Sequence, residues 1–216
     1  MRGKYILLEG GECAGKSTHI KLIIEKLKSL NINAILTREP GSPHINFNVR
    51  DLLLDASKEI DPIARELLFQ ADRAEHSSFI KKKLDEGTWV ISDRGFVSGL
   101  AYAMSHKHDL KYLGKVVKWA NKVFPDIIFY LKISPELSLM RQESRGQIKT
   151  YEESKGLEHL IKIEKNFEIV LNKLKNPYWR FLGLPKIKSV WLNSENSVED
   201  VHNSIFTVIK CMLGEK

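Results

Sequence analysis

Short apolar runs alternate along this chain with longer stretches in which apolar side chains recur every three or four positions. KYILLE (4–9), NAILT (33–37), WVISD (89–93), IIFYLKI (127–133) and SVWLN (189–193) have the length and the β-branched or aromatic content of strands. Between the first two, Ile20, Ile23, Ile24, Leu27 and Leu30 fall at helical spacing across 16–30. Asp61-Pro62 offers an N-cap followed by proline at the first helical position, and the helix it opens is expected to run to about Gly87. Residues 110–123, 151–175 and 197–213 also read as helical. This alternation predicts an α/β fold: a five-stranded parallel sheet with helices on both faces. Ligands of such sheets bind beyond the carboxyl ends of the strands. With no internal repeat, low-complexity tract or linker, residues 1–216 read as a single domain.

Composition changes the picture only at its margins. The chain is 43% hydrophobic and 28% charged, as expected for a soluble globular protein. It holds no stretch of 18 apolar residues, and its N-terminus lacks the long apolar region of an export signal. Cys13 and Cys211 are too few and too far apart for a disulfide framework or a metal site, so a reducing, cytoplasmic setting is expected. The net charge of +7 comes from scattered lysines, with 81-KKK-83 read as a solvated helix face. Small polyanionic substrates account for that excess better than nucleic acid or a membrane.

The first strand ends in 10-GGECAGKST-18. Its Gly10-x-x-x-x-Gly15-Lys16-Ser17 spacing satisfies GxxxxGK[ST] between a predicted strand and a predicted helix. Glycines let successive backbone N–H groups turn inward toward phosphate oxygens, and the following helix adds the positive end of its dipole. Gly10, Gly11, Glu12, Cys13, Ala14, Gly15, Lys16, Ser17 and Thr18 are therefore expected to cradle the phosphates of a nucleoside triphosphate in a P-loop NTPase fold. Lys16 would bridge the β- and γ-phosphates and Ser17 would ligate Mg²⁺. The cradle alone does not separate a GTPase, a motor and a small-molecule kinase.

The other strand ends narrow the choice. WVISDR places Asp93 where a carboxylate holds Mg²⁺ or its water shell, with a structural Asp93–Arg94 ion pair as the alternative. The DxxG and NKxD pattern of a GTPase is not found. NAILTREPG ends the second strand with Arg38, then Pro40 and Gly41 to turn the chain. Arg38 either reaches a phosphate bidentately or forms a surface ion pair. In ELLFQADRAEH, Phe69 and Arg73 are four apart and share a helix face. A ring beside a guanidinium suits a planar base, although periodicity alone favours Phe69 in the core with Arg73 on its rim.

Taken in order, LLEGGECAGKST, TREPG, LLFQADRAEH and SDRGFVSGLAYA resemble the successive signatures of the thymidylate kinase family, over about residues 4–175. The resemblance implies transfer of the γ-phosphoryl group of MgATP to dTMP, with ATP and dTMP as small-molecule partners and a homodimeric assembly. It makes Glu12 an acid near the acceptor's sugar and phosphate. Arg38, Arg50 and Arg94 match arginines near the acceptor phosphate, with Pro40 in the same turn. Phe69 would stack on thymine, Arg73 would donate to its O4, and Tyr102 would lie beside the deoxyribose and disfavour a 2′-hydroxyl. The usual DRY and AYQ read here as Asp93-Arg94-Gly95 and Ala101-Tyr102-Ala103.

Some members of the family carry a transition-state arginine in the P-loop, and others supply it from a mobile lid. Cys13 occupies that loop position, so the chain resembles the lid type. The lid is expected at about 141–152 within 139-LMRQESRGQIKTYEE-153, with Arg145 as the transition-state contact, Arg141 as a clamp on ATP and Gly146 as a hinge. Where the family has DR.E, this chain has Lys149-Thr150-Tyr151-Glu152, and Lys149 lacks the planar fork of arginine. Cys13 is read as a small residue that fits the loop, with a thiol activated by the helix end as the alternative. His44, His76, His106 and His108 are read as surface or structural, because an ionised acceptor phosphate needs no general base. Two rival functions stay open: a kinase for another pyrimidine monophosphate, and a P-loop binding protein that has lost catalysis.

Overall fold

The computed structural model describes residues 2–47, 49–146, 150–175 and 184–214. Five strands form one parallel sheet in the order β2-β3-β1-β4-β5. They are β1 (Tyr5–Glu9), β2 (Ala34–Arg38), β3 (Trp89–Asp93), β4 (Ile127–Lys132) and β5 (Lys188–Asn193). All five coincide with the apolar runs. Around them lie α1 (Lys16–Ser29), α2 (Arg50–Leu54), α3 (Pro62–Asp85), α4 (Phe96–Ser105), α5 (Leu110–Ala120), α6 (Pro135–Arg145), α7 (Gly156–Lys175) and α8 (Val198–Leu213).

The central strands read as unbroken apolar runs because both their faces are covered. Ile6 and Leu8 of β1, with Ile127, Phe129 and Leu131 of β4, pack against Ile20, Ile23 and Leu27 of α1 and Val201, Ile205 and Ile209 of α8. Leu7, Ile128 and Tyr130 point the other way, into Val97 and Leu100 of α4, Val117 of α5 and Phe167 and Val170 of α7. Helix α3 opens as expected: Asp61 caps it by accepting from the backbone N–H of Ile63 at 2.9 Å and of Ala64 at 3.2 Å.

Four helices differ from expectation. Helices α2 and α4 were not foreseen; α4 carries Gly99 and opens directly after Arg94-Gly95, so its pattern lacks the usual start signal. Helix α6 continues to Arg145 and is capped by Gly146 at φ 62°, so Arg141 and Arg145, at the start of the expected lid, stand on a helix. The segment expected to begin a helix at 151 is first a turn and a 3₁₀ turn at Glu153–Lys155, and α7 starts at Gly156. The expectation placed on Lys149 lies outside the described residues.

Candidate active site

Residues at the carboxyl ends of β1, β2 and β3 converge on one cavity of about 530 Å³. That size suits a pair of small ligands. Its floor is the P-loop. Gly10 stands at φ 148°, where a Cβ would overlap the carbonyl of Leu131, and Gly15 caps α1 at φ 84°. Glycine is required at both. The loop is braced from behind: Ser138 Oγ donates to the Glu12 carbonyl at 2.7 Å and Ser194 Oγ to the Ala14 carbonyl at 2.5 Å. Lys16 is buried, with Nζ donating to the carbonyls of Gly10 and Gly11 at 3.1 and 2.7 Å. Burial, helped by Arg94, pushes its pKa below the ordinary lysine value.

Beside the loop, Ser17 Oγ donates to Asp93 Oδ2 at 3.2 Å. A hydroxyl and a carboxylate side by side at a phosphate cradle are the hard oxygen donors that Mg²⁺ selects.

Arg94 occupies the centre of the site. It holds a left-handed backbone conformation, φ 69°, which is costly for a side-chain-bearing residue. Its Nη1 donates to the Gly10 carbonyl at 2.9 Å and to Ser98 Oγ at 3.1 Å, and Nη2 pairs with Glu12 at 2.8 Å. The guanidinium also lies over the Tyr102 ring at 5.5 Å, and Tyr102 Oη donates to Glu12 at 3.0 Å. Burial raises the Glu12 pKa, but Arg94 and Lys16 outweigh it and hold the carboxyl below its ordinary range. Asp93 and Arg94 thus do not pair with each other; each has its own partner.

The TREPG turn forms one wall. Arg38 Nε donates to the Gly41 carbonyl at 3.1 Å, and Arg50 Nη1 donates to the Pro40 carbonyl at 2.8 Å. Asp72 of α3 pins the turn by accepting from Gly41 N–H at 3.1 and 3.2 Å. Phe69 and Arg73 of α3 also line the cavity. Arg73 is neither in the core nor on a rim. It is 2% exposed and paired through Nε with Glu39 at 3.0 Å.

The arginines of α6 separate. Arg145 lines the cavity and pairs with Glu153. Arg141 is not among the lining residues; it donates to the carbonyls of Cys13 at 3.2 Å and Ser194 at 3.4 Å, bracing the loop from outside. Cys13 lines the cavity, and burial raises its thiol pKa against the pull of Arg145. That direction favours the filler reading over an activated thiol.

Several site residues escaped sequence reasoning. Glu9 ends β1 fully buried and accepts from Ser98 through both N–H and Oγ. Glu66, His106, His108 and Tyr151 complete the cavity wall, so two histidines read as surface or structural in fact face the site. Glu39 sits inside the TREPG motif already singled out, but nothing along the chain marks its burial beneath Arg73. The histidines gave no signal, because their position depends on how α4 meets the segment after α6.

A thymidylate kinase family model matches residues 8–205. The chain is 36% identical to a probable thymidylate kinase of Thermococcus kodakarensis, covering 98% of this chain and 100% of the relative. It is 43% identical to a thymidylate kinase of Carboxydothermus hydrogenoformans over 68% of this chain and 74% of the relative. Its identity to a thymidylate kinase of Campylobacter concisus is 34%, over 93% and 96% of the two chains.

Proposed function

The chain belongs to the thymidylate kinase family, and we propose that it transfers the terminal phosphoryl group of ATP to dTMP, giving dTDP and ADP. One observation carries this reading: a single cavity joins a complete P-loop to three arginines and then to an aromatic–guanidinium wall. Those are the recognition elements for a triphosphate, a monophosphate and a planar base, in that order.

Residues Gly10 to Thr18 bind the donor phosphates through inward N–H groups, and Lys16 gives up its two loop carbonyls to reach them. Ser17 and Asp93 would hold Mg²⁺, which supplies charge neutralisation at the donor phosphates. Arg38, Arg50 and Arg94 orient the acceptor phosphate. Glu12 keeps Arg94 in position and, with Tyr102, faces the deoxyribose. Phe69 stacks on the base and Arg73 donates to its 4-carbonyl. Arg145 leaves Glu153 to stabilise charge developing on the transferred group, while Arg141 stiffens the loop in place of the ATP clamp expected of it. Closure of the segment following α6 excludes water.

The whole chain works as one kinase domain, and we place it in the cytoplasm, where its two free thiols persist. We further infer a homodimer. Ile63 and Leu67 are exposed on α3, and Tyr112 and Trp119 are exposed on α5, which packs against α3; these apolar side chains support that assembly.

The test is ADP release with MgATP and, separately, the thymidine, deoxyuridine, cytidine, adenosine and guanosine monophosphates. Strong turnover with thymidylate that falls about 10³-fold or more in Arg145→Ala is the expected result. Turnover with a different base alone would overturn the Phe69–Arg73 assignment. ATP binding without turnover on any acceptor would make the chain a binding protein.

A further inference from the structure

Helix α4 carries a glycine in its interior, Gly99, where glycine is unfavourable for helix formation. The reason lies across the cavity wall. A Cβ built on Gly99 would overlap Arg73 Nη2 and come within 3.0 Å of Cζ and Nη1. The guanidinium therefore lies directly against the α4 backbone, in space that every other residue would fill.

It is also held from the far side. Arg73 Nε donates to Glu39 Oε2 at 3.0 Å. The other Glu39 oxygen bonds His76 Nδ1 at 3.1 Å, and His76 Nε2 bonds Thr37 Oγ1 at 2.6 Å. All four residues are buried. Burial raises the Glu39 pKa, but Arg73 and His76 outweigh it and keep the carboxylate charged. Arg73 Nη1 is left buried without a hydrogen-bond partner, on a side chain that lines the cavity next to Phe69.

We propose that Gly99 is a specificity-determining position, and that Glu39 and His76 are positioning residues acting through Arg73. This rests on the dTMP kinase reading and names what enforces its choice of base. A guanidinium only donates, whereas an amide side chain can flip between donor and acceptor. Locked by Glu39 and seated on Gly99, Arg73 cannot rotate to present anything else. A base carbonyl satisfies Nη1. A ring amino group at the same place opposes donor to donor and leaves both unpaired, the arrangement that gives strong discrimination.

The experiment compares kcat/KM for dTMP and dCMP, with KM for ATP, in the unaltered enzyme, Gly99→Ala and Glu39→Gln. The unaltered enzyme should prefer dTMP by roughly 10²-fold or more. In both variants KM for dTMP should rise about tenfold or more, KM for ATP should stay within about twofold, and the dTMP:dCMP ratio should fall at least about tenfold. If Gly99→Ala does not fold, Glu39→Gln alone decides the result. An unaltered ratio in folded variants overturns the proposal, because a merely structural role lowers both acceptors together. If the unaltered enzyme does not use dTMP, the kinase reading fails and takes this inference with it.

Discussion

Single residues already decide much of the chemistry. Lys16 is buried among loop carbonyls, so Lys16→Ala should lower kcat by about 10²–10³-fold with little change in KM for dTMP, as steady-state assays would show. An equal loss in both parameters would place the lysine elsewhere. Glu9 makes a second test. Burial, working against Ser98 and Arg94, lifts its pKa from 4.5 to about 7. The folded protein thus keeps a proton that the unfolded chain releases, so this stabilisation is full below pH 4.5 and is lost as pH rises through about 7. Glu9→Gln removes that dependence. Urea unfolding between pH 4.5 and 8 should show the unaltered protein losing about 3 kcal/mol relative to the variant. Parallel profiles would sink the argument. Lys16 was legible because the P-loop pattern specifies it; Glu9 was not, because its burial needs α4 placed over the end of β1.

At the scale of elements, the segment 150–155, a turn and a 3₁₀ turn, is held by side-chain contacts. It is pinned by Glu152, whose carboxylate meets His106 at 3.1 Å, His159 at 2.6 Å and Lys155 at 3.2 Å. Tyr151 is clasped between Arg65 and Lys155, each 4.0 Å from its ring. Burial raises the Glu152 pKa, but the two histidines and Lys155 outweigh it and hold the carboxyl far below its usual range. A depressed acid stabilises above its unfolded value of 4.5, and that contribution is lost as pH falls. In Glu152→Gln, backbone hydrogen exchange at 150–156 should accelerate about tenfold at pH 7 relative to the unaltered chain. No change at 150–156 would show that the pin carries no weight. This arrangement was illegible in the sequence: Glu152 and His159 are near neighbours, but His106 reaches them only after α4 and α7 pack together.

The whole molecule adds one prediction. The dimer inferred from the exposed residues of α3 and α5 would be disrupted by a charge at Leu67, which is 60% exposed. Leu67→Glu should run as a monomer in light scattering, and its melting temperature should fall, because subunit association stabilises the folded chain. A monomeric unaltered protein would dispose of the dimer. Ile63 and Leu67 read from periodicity as ordinary helix positions, and only the packed fold leaves them facing outward together.

The sequence by itself determined the five strands, their parallel order of strand and helix, and the phosphate cradle. Each of these follows from local composition: apolar runs must be buried, and only glycines at fixed spacing let backbone N–H groups face an anion. Tertiary structure decided what the other polar residues do. Arg73 became a buried side chain at the cavity because Gly99, on another helix, makes room for it and Glu39, at the end of β2, holds it. Arg141 meets the carbonyls of Cys13 and Ser194 because α6 carries it alongside the P-loop. Such roles depend on which side chains meet across elements, and spacing along one chain does not encode that.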